Sequence, residues 1–239
     1  MIVPWRSRAR GRCALAGQQL DARQRRRLRE SGNGEQPEQQ QDQSAHRQLS
    51  FCLDARYHHS SFRRKRGWPD RGVVGVRLTW RRLADLPDLA EEPYRGFLGR
   101  IADCGMHVEL LAAGASLPVL LPHFAAARVP LVVDHFGVPS RDPAERRAGT
   151  DALLHAIDGG RTWVKLSAGF RLPDEIVAEC TTQLLAAGPE RLLWGSDAPF
   201  VNHEDSVDYA AALALYRRLV PDAATRRAID ATAIKLFFD

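Results

Sequence analysis

The sequence has few cysteines and no long apolar segment. Its four cysteines form no Cys-x-x-Cys pair and show no regular spacing, so a disulfide framework is not expected. No run reaches the ~18 apolar residues that suggest a membrane-spanning helix. The basic N-terminus is not followed by the apolar segment of a secretory signal. These absences predict a cytoplasmic protein without a membrane segment.

Charge is distributed unevenly along the chain. The net charge is +5, but residues 1–70 hold 15 basic and 7 acidic residues, whereas residues 71–239 hold 19 and 22. Nine of the ten glutamines lie between Gln18 and Gln48. Because the first segment has low hydrophobicity and no sustained helix or strand period, we expect disorder there, most clearly in Ser31–Ser50.

Two arginine clusters, Arg23–Arg29 and Arg63–Arg66, suggest a nucleic-acid-binding arm as one interpretation. The clusters lack interleaved aromatic residues and no binding module accompanies them, so a solvated charge run is the better interpretation and no nucleic acid partner is expected. Composition changes abruptly near Pro69–Gly72. We therefore divide the chain into an Arg/Gln-rich low-complexity segment, 1–70, and a folded domain, 71–239. The first segment is either a genuine extension or the product of an out-of-frame translation.

From Gly72 onward, apolar runs of strand length alternate with amphipathic stretches of helix length. Near-continuous apolar strands between helices predict an α/β fold whose parallel sheet is covered on both faces, as in a β/α barrel or a doubly wound sheet. The predicted strands are Val73–Trp80, Met106–Ala112, Pro130–His135, Thr162–Ala168 and Arg191–Ser196. The predicted helices are Glu91–Cys104, Leu117–Ala127, Pro143–Asp158, Pro173–Ala187, Ser206–Leu219 and Ala223–Phe237.

Polar side chains lie on these strands or directly after them. In parallel α/β folds the carboxyl ends of the strands gather at one edge, where the chemistry takes place. Convergence of a histidine, an aspartate and two arginines there would form a site for an anionic substrate. The polar residues concerned are Arg77, His107, Glu109, Asp134, His135, Lys165, Ser167, Arg171, Ser196 and Asp197.

The main candidates also have structural interpretations. Asp197 could cap the turn that follows it, and His135 could be a hydrogen-bonded structural histidine. Arg77 and Arg171 could be surface or ion-pair residues. Lys165, in the middle of its strand, could serve only to pair with a neighbouring carboxylate.

Four strand motifs and a closing tail stand out between Gly72 and Asp239. The motifs are DHFGVP (from Asp134), TWVKLSAGFR, RLLWGSDAPF and GVVGVRL, and the tail is PDAATRRAIDATAIKLFFD. The motifs resemble the DHxGxP, vKLSg..R, rllwGSDwPh and GVrGvRf strands of the amidohydrolase-related family, which includes 2-pyrone-4,6-dicarboxylate lactonase and related metal-dependent decarboxylases. The tail resembles the closing tail of that family, and all five segments stand in family order.

The resemblance implies a TIM-type (β/α)8 barrel and a hydrolase that opens a lactone or similar ester of a small carboxylated substrate. It implies that Asp197 activates water and that His135 contacts the substrate. It also implies that Arg77 and Arg171 bind substrate carboxylates, a role that suits the planar guanidinium. If a metal is bound, His135 and Asp197 are the expected ligands.

The sequence departs from the family in its first third. The family's first strand carries a His-x-His pair that supplies two metal ligands, whereas His58 and His59 are adjacent here and would point to opposite faces of a strand. A closed barrel needs about eight strands and ~250 residues. We therefore expect an incomplete barrel without a cofactor, although zinc occurs in the family. Two alternatives stay open, a catalytically impaired fragment or pseudoenzyme and a metal-dependent decarboxylase. Neither the substrate nor the oligomeric state can be read from the sequence.

Overall fold

Strands and helices alternate along the chain in the computed structural model, which describes residues 2–4, 73–83 and 85–238. The strands are β1 (Ile2–Pro4), β2 (Val73–Thr79), β3 (His107–Leu111), β4 (Leu131–Val133), β5 (Thr162–Leu166) and β6 (Leu192–Trp194). The helices are α1 (Tyr94–Asp103), α2 (Leu117–Ala126), α3 (Pro143–Asp158), α4 (Asp174–Ala186), α5 (Tyr209–Leu219) and α6 (Ala223–Phe238). Short 3-10 turns lie at Gly114–Ser116, His135–Gly137, Gly169–Arg171 and Pro189–Arg191.

The strands form one sheet in the order β1-β2-β3-β4-β5-β6. Strands β2 to β6 are parallel, and β1 runs antiparallel to β2. At least one helix connects each parallel strand to the next, as a parallel sheet requires. Among the described strands no pairing joins β6 back to β1 or β2, so this part of the sheet has two edges.

The five strands and six helices predicted from Gly72 onward are all confirmed, and α3 has the predicted bounds. All five strands end one or two residues earlier than predicted, and after β4 and β5 the reason is a sharp turn of the chain. His135 follows β4 with φ of 55°, and Ala168 follows β5 with φ of 56°, in the left-handed region that side chains with a Cβ rarely adopt. Strand β1 was not predicted, since three residues carry no readable period. The predicted disorder at Ser31–Ser50 lies outside the described residues.

The parallel strands direct apolar side chains toward the helices and polar side chains toward the opposite face. Val108, Leu110 and Val133 are at most 1% exposed and belong to the hydrophobic core. Because successive strand residues point to opposite faces, Glu109 of β3 and Lys165 of β5 lie on the other face of the sheet. Burial of each large core side chain contributes about 1.5–3 kcal/mol. The sheet is thus a rigid support for the polar face.

Aspartate caps fix where two helices begin. Asp142 Oδ1 accepts hydrogen bonds from the backbone N–H groups of Ala144 and Glu145, both at 2.9 Å, at the start of α3. Asp208 Oδ1 accepts from the N–H of Ala211 at 2.7 Å, so α5 begins after Asp208 and not at the predicted Ser206. Such caps stabilise a helix by about 1 kcal/mol. None of the described helices is long and apolar enough to cross a bilayer.

Candidate active site

A buried network of charged side chains joins β2, β3, β4 and β5 on the polar face of the sheet. Asp134, directly after β4, accepts a hydrogen bond at Oδ2 from Arg77 Nε at 2.8 Å. Lys165 Nζ lies 3.0 Å from Asp134 Oδ1 and donates to Glu109 Oε1 at 3.0 Å. Arg77 Nε also lies 3.9 Å from Glu109 Oε2. Two cations and two carboxylates therefore balance each other on this face.

The pKa values reflect this balance. Burial by itself would raise the pKa of Asp134, but the nearby charges of Lys165, Arg77 and His135 outweigh burial and lower it to about 2. Burial would lower the pKa of Lys165, but Asp134 and Glu109 outweigh burial and raise it. Both groups are therefore charged at neutral pH, in a place where an unpaired charge would be costly.

His135 stands at the beginning of the turn that ends β4. His135 and Phe136 have φ of 55° and 56°, and Val138 has φ of 46°. Three non-glycine residues in the left-handed region within four positions are a local strain that the surrounding structure must hold in place. The turn brings His135 Nδ1 to 2.7 Å from Ser167 Oγ and His135 Nε2 to 3.6 Å from Asp197 Oδ1. Burial lowers the pKa of His135, against the opposing effect of Asp134 and Asp197.

Asp197 lies in the loop that follows β6, also with a left-handed φ, of 65°. Its Oδ2 accepts a hydrogen bond from Arg171 Nε at 2.8 Å. Arg171 Nη1 donates to the carbonyl oxygen of Val201 at 3.0 Å. Arg171 therefore orients the Asp197 carboxylate and also bonds the backbone of the loop in which that carboxylate lies.

Three of the four predicted site residues come together. The side chains of His135, Asp197 and Arg171 are 12%, 19% and 20% exposed, whereas that of Asp134 is fully buried. The ends of three different strands thus bring an imidazole, a carboxylate and a guanidinium to one place that solvent reaches. The fourth, Arg77, has a side chain that is 16% exposed, and its guanidinium forms an ion pair with the carboxylate of Asp134.

The interpretation of Lys165 as the partner of a carboxylate on a neighbouring strand is confirmed, with Glu109 and Asp134 as partners. His107 lies apart from the site. It is 4% exposed, and its ring meets Phe237 of α6 edge-on with 5.2 Å between ring centroids. Burial is the main cause that lowers the pKa of His107. A Cβ at Gly75 would come within 2.5 Å of this ring, which explains why β2 has a glycine there.

A family model described as amidohydrolase matches residues 15–238. The chain belongs to the amidohydrolase family. The match begins inside the Arg/Gln-rich segment, and the division of the chain near residue 70 stays a prediction.

Relatives agree with this assignment to the amidohydrolases. A 4-sulfomuconolactone hydrolase from Rhizobium radiobacter is 29% identical over 184 residues, which cover 71% of this chain and 59% of the relative. A crystal structure from Pseudomonas putida, of a protein assigned as a 2-pyrone-4,6-dicarboxylic acid hydrolase, is 35% identical with a TM-score of 0.65. The match covers 71% of this chain and 65% of that one. The chain thus spans about six-tenths of the length of these relatives, and its described strands are part of an amidohydrolase barrel.

One structurally similar protein holds a metal ion. An amidohydrolase from Burkholderia multivorans, solved with bound zinc, is 22% identical with a TM-score of 0.60, and the match covers 69% of this chain and 64% of that one. Within the described part of this chain, no group of three or more His, Cys, Asp or Glu side chains could hold a metal ion. The Lys165 ammonium lies between the carboxylates of Glu109 and Asp134. The described residues therefore do not fit a metal.

Two residues that hold the site together, Ser167 and Asp134, are not among the residues predicted to form it. Ser167 bonds His135, and Asp134 bonds Arg77. The sequence identifies both residues as polar positions at strand ends. It does not predict their partners, because a contact across strands depends on register and on the direction of the turn after each strand.

Proposed function

We propose that this chain opens the ring of a carboxylated lactone by attack of a water molecule that Asp197 deprotonates. The observation that carries the proposal is the shared contact of Arg171 and His135 with the two oxygens of the Asp197 carboxylate, at 2.8 Å and 3.6 Å. Arg171 and His135 thereby hold the carboxylate in a fixed orientation, as the role of a general base requires. The names of the two relatives, a 4-sulfomuconolactone hydrolase and a 2-pyrone-4,6-dicarboxylic acid hydrolase, support the same reaction class, since a muconolactone and a 2-pyrone are both lactones.

The step balances with residues of this chain and water alone. Asp197 takes one proton of the water, whose oxygen attacks the lactone carbonyl carbon. An N–H of His135 stabilises the negative charge that develops on the carbonyl oxygen. The bond between that carbon and the ring oxygen then breaks, and the protonated Asp197 returns its proton to the ring oxygen as it leaves.

In this proposal, arginine guanidinium groups bind the carboxylates of the substrate. Arg171 presents a planar fork beside the reacting carboxylate and can bind a substrate carboxylate through Nη2, since Nε bonds Asp197 and Nη1 bonds the carbonyl of Val201. Binding of a carboxylate by Arg77 stays a prediction, since its Nε is used on Asp134. A small carboxylated lactone, such as a pyrone dicarboxylate, is the substrate class that this arrangement favours.

A catalytically impaired chain is the alternative, and the absence of a His-x-His pair from the sequence favours it. One experiment separates the two. The full chain is treated with a chelator, and opening of 2-pyrone-4,6-dicarboxylate is followed by loss of the pyrone absorbance. Mass spectrometry of the product distinguishes addition of water from loss of CO2.

Wild-type turnover with addition of water supports the proposal. Asp197→Asn should lower kcat by about 10²- to 10⁴-fold, the usual contribution of a general base. Asp205→Asn, an exposed aspartate in the same loop, is the matched control and should keep full activity. Absence of wild-type turnover would favour the impaired chain, and equal rates for Asp197→Asn and wild type would remove Asp197 from the role of base.

A further inference from the structure

Ser167 is a buried hydroxyl in direct contact with the candidate catalytic histidine. It is 4% exposed and directly follows β5, where its backbone N–H bonds the carbonyl of Lys165 at 3.0 Å. Its Oγ lies 2.7 Å from His135 Nδ1, a short distance for such a pair. The other nitrogen of the ring, Nε2, faces Asp197. The imidazole is therefore held from both sides.

The surroundings of Ser167 decide the direction of this hydrogen bond. Ser167 lines a small cavity whose walls are mainly apolar, with Ser196 and Tyr216 as the other polar side chains. In the described part of the chain, His135 is the one side chain that hydrogen-bonds the Ser167 hydroxyl. If the hydroxyl accepted a hydrogen bond from Nδ1–H, no described group would be within hydrogen-bond distance to accept its own hydrogen. Donation to the Nδ1 lone pair avoids that loss.

The contact of the His135 ring with Asp197 also places the proton of the imidazole on Nε2. Arg171 donates to Oδ2 of the Asp197 carboxylate, and Oδ1 of the same carboxylate lies 3.6 Å from His135 Nε2. A lone pair on Nε2 would face this negative charge, whereas a proton on Nε2 is attracted to it. A neutral ring carries one proton, so that proton belongs on Nε2.

We propose that Ser167 is a positioning residue that donates its hydroxyl hydrogen to His135 Nδ1 and thereby fixes the Nε2–H tautomer of the imidazole. The lowered pKa of His135, caused first by burial, agrees with a ring that is neutral at neutral pH. Lys165 and Arg77 act in the same direction as burial, while Asp134 and Asp197 oppose it.

The catalytic consequence rests on the proposed function. With Nε2 protonated, His135 is a hydrogen-bond donor toward the space beside Asp197 and cannot take a proton from water. The roles are then divided, because Asp197 is the one base and His135 is the donor to the carbonyl oxygen. Loss of Ser167 would let the ring adopt the other tautomer and would remove that donor.

The tautomer can be measured without a substrate. The full chain, labelled with ¹⁵N-histidine, is studied by NMR at neutral pH, and the His135 signals are assigned by their loss in His135→Gln. We expect an unprotonated Nδ1 and a protonated Nε2 in the wild type. Ser167→Ala should convert this to a mixture of tautomers, and Ser167→Thr, which keeps the hydroxyl, should restore it. A protonated Nδ1 in the wild type, or an unchanged tautomer in Ser167→Ala, would overturn the proposal.

Kinetics provide the second readout. Ser167→Ala should lower kcat for lactone opening by about tenfold or more with little change in KM, because part of the population would lose the donor that stabilises the developing oxyanion. Ser167→Thr should recover most of the loss. If Ser167→Ala changes KM but not kcat, the result counts against the proposal. A kcat for Ser167→Thr as low as that for Ser167→Ala counts against it as well. If the tautomer is as expected but no lactone is opened, the proposed function fails and the role of Ser167 stands.

Discussion

The ammonium group of Lys165 lies 3.0 Å from Oδ1 of Asp134, in a contact between a side chain of β5 and the residue that directly follows β4. The same ammonium bonds Glu109 of β3 at 3.0 Å. One cation therefore links three neighbouring strands on the polar face of the sheet. Since Asp134 directly precedes His135, the ion pair also anchors the turn that carries the imidazole.

Removal of this cation should destabilise the fold. Lys165→Met leaves two buried carboxylates with one cation, Arg77, so we expect the free energy of unfolding to fall by about 3–5 kcal/mol, as when one partner of a buried ion pair is lost. Urea denaturation measures the change. Lys235→Met, which removes an exposed lysine on α6, is the matched control and should leave stability nearly unchanged.

The charge balance predicts a partial rescue. In the double variant Lys165→Met/Glu109→Gln, one negative charge is removed together with the positive one, and part of the lost stability should return. If the double variant is less stable than Lys165→Met alone, the Lys165 contacts stabilise the fold for a reason other than charge.

Arg171 should be intolerant of lysine. The Arg171→Lys variant keeps the charge but cannot hold Asp197 and the carbonyl of Val201 with separate donors of one planar group. We expect kcat/KM to fall about 10- to 100-fold, the kinetic equivalent of one charged hydrogen bond of roughly 1.5–3 kcal/mol. Arg191→Lys is the control, since Arg191 bonds the carbonyl of Gly160 and lies over Trp163. Equal losses in both variants would argue against a specific role for Arg171.

Stability should depend on pH through Asp134. Burial alone would raise the pKa of this carboxyl, but Lys165, Arg77 and His135 lower it from 3.8 to about 2 in the folded protein. A depressed folded pKa contributes stability that is complete above the unfolded value and is lost as the pH falls through the folded value. The free energy of unfolding should therefore decrease as the pH falls from 3.8 to about 2.

Urea unfolding at a series of pH values checks this expectation. Asp134→Asn has no carboxyl to titrate, so its stability should change less steeply than that of the wild type across the same interval. Asp151→Asn, at an exposed position of α3, should keep the wild-type slope. Parallel curves for wild type and Asp134→Asn would show that this ion pair does not govern acid stability.

The sequence predicts the layout of the fold well because its strands are apolar and its helices are amphipathic. Helix α3 could be bounded to the residue, since Asp142 and Pro143 mark its beginning and Gly159 follows its end. The convergence of Arg171 and Asp197 follows from a general property of parallel strands, whose carboxyl ends meet at one edge. What the sequence does not contain is the geometry of the left-handed turns at His135 and Ala168, which decide where the imidazole and Ser167 point.

Partners across the sheet are harder to predict for a related reason. The sequence presents Arg77 as a candidate for substrate binding, yet the structure places its guanidinium on Asp134. Which carboxylate an arginine reaches depends on the register of β2, β3 and β4, and a change of one residue in register would alter every pair. For Lys165 the sequence suggests an ion pair with a neighbouring carboxylate, but it does not identify the two partners.

The most direct test of the account follows the oxygen of the attacking water. A single turnover of 2-pyrone-4,6-dicarboxylate is run in H2¹⁸O with the full chain in excess, and both the product and the peptide that contains Asp197 are analysed by mass spectrometry. If Asp197 acts as a base, the carboxylate formed from the lactone carbonyl carries one ¹⁸O and the Asp197 peptide carries none. An unlabelled new carboxylate together with ¹⁸O in Asp197 would show that the Asp197 carboxylate itself attacks the lactone, and would contradict the account.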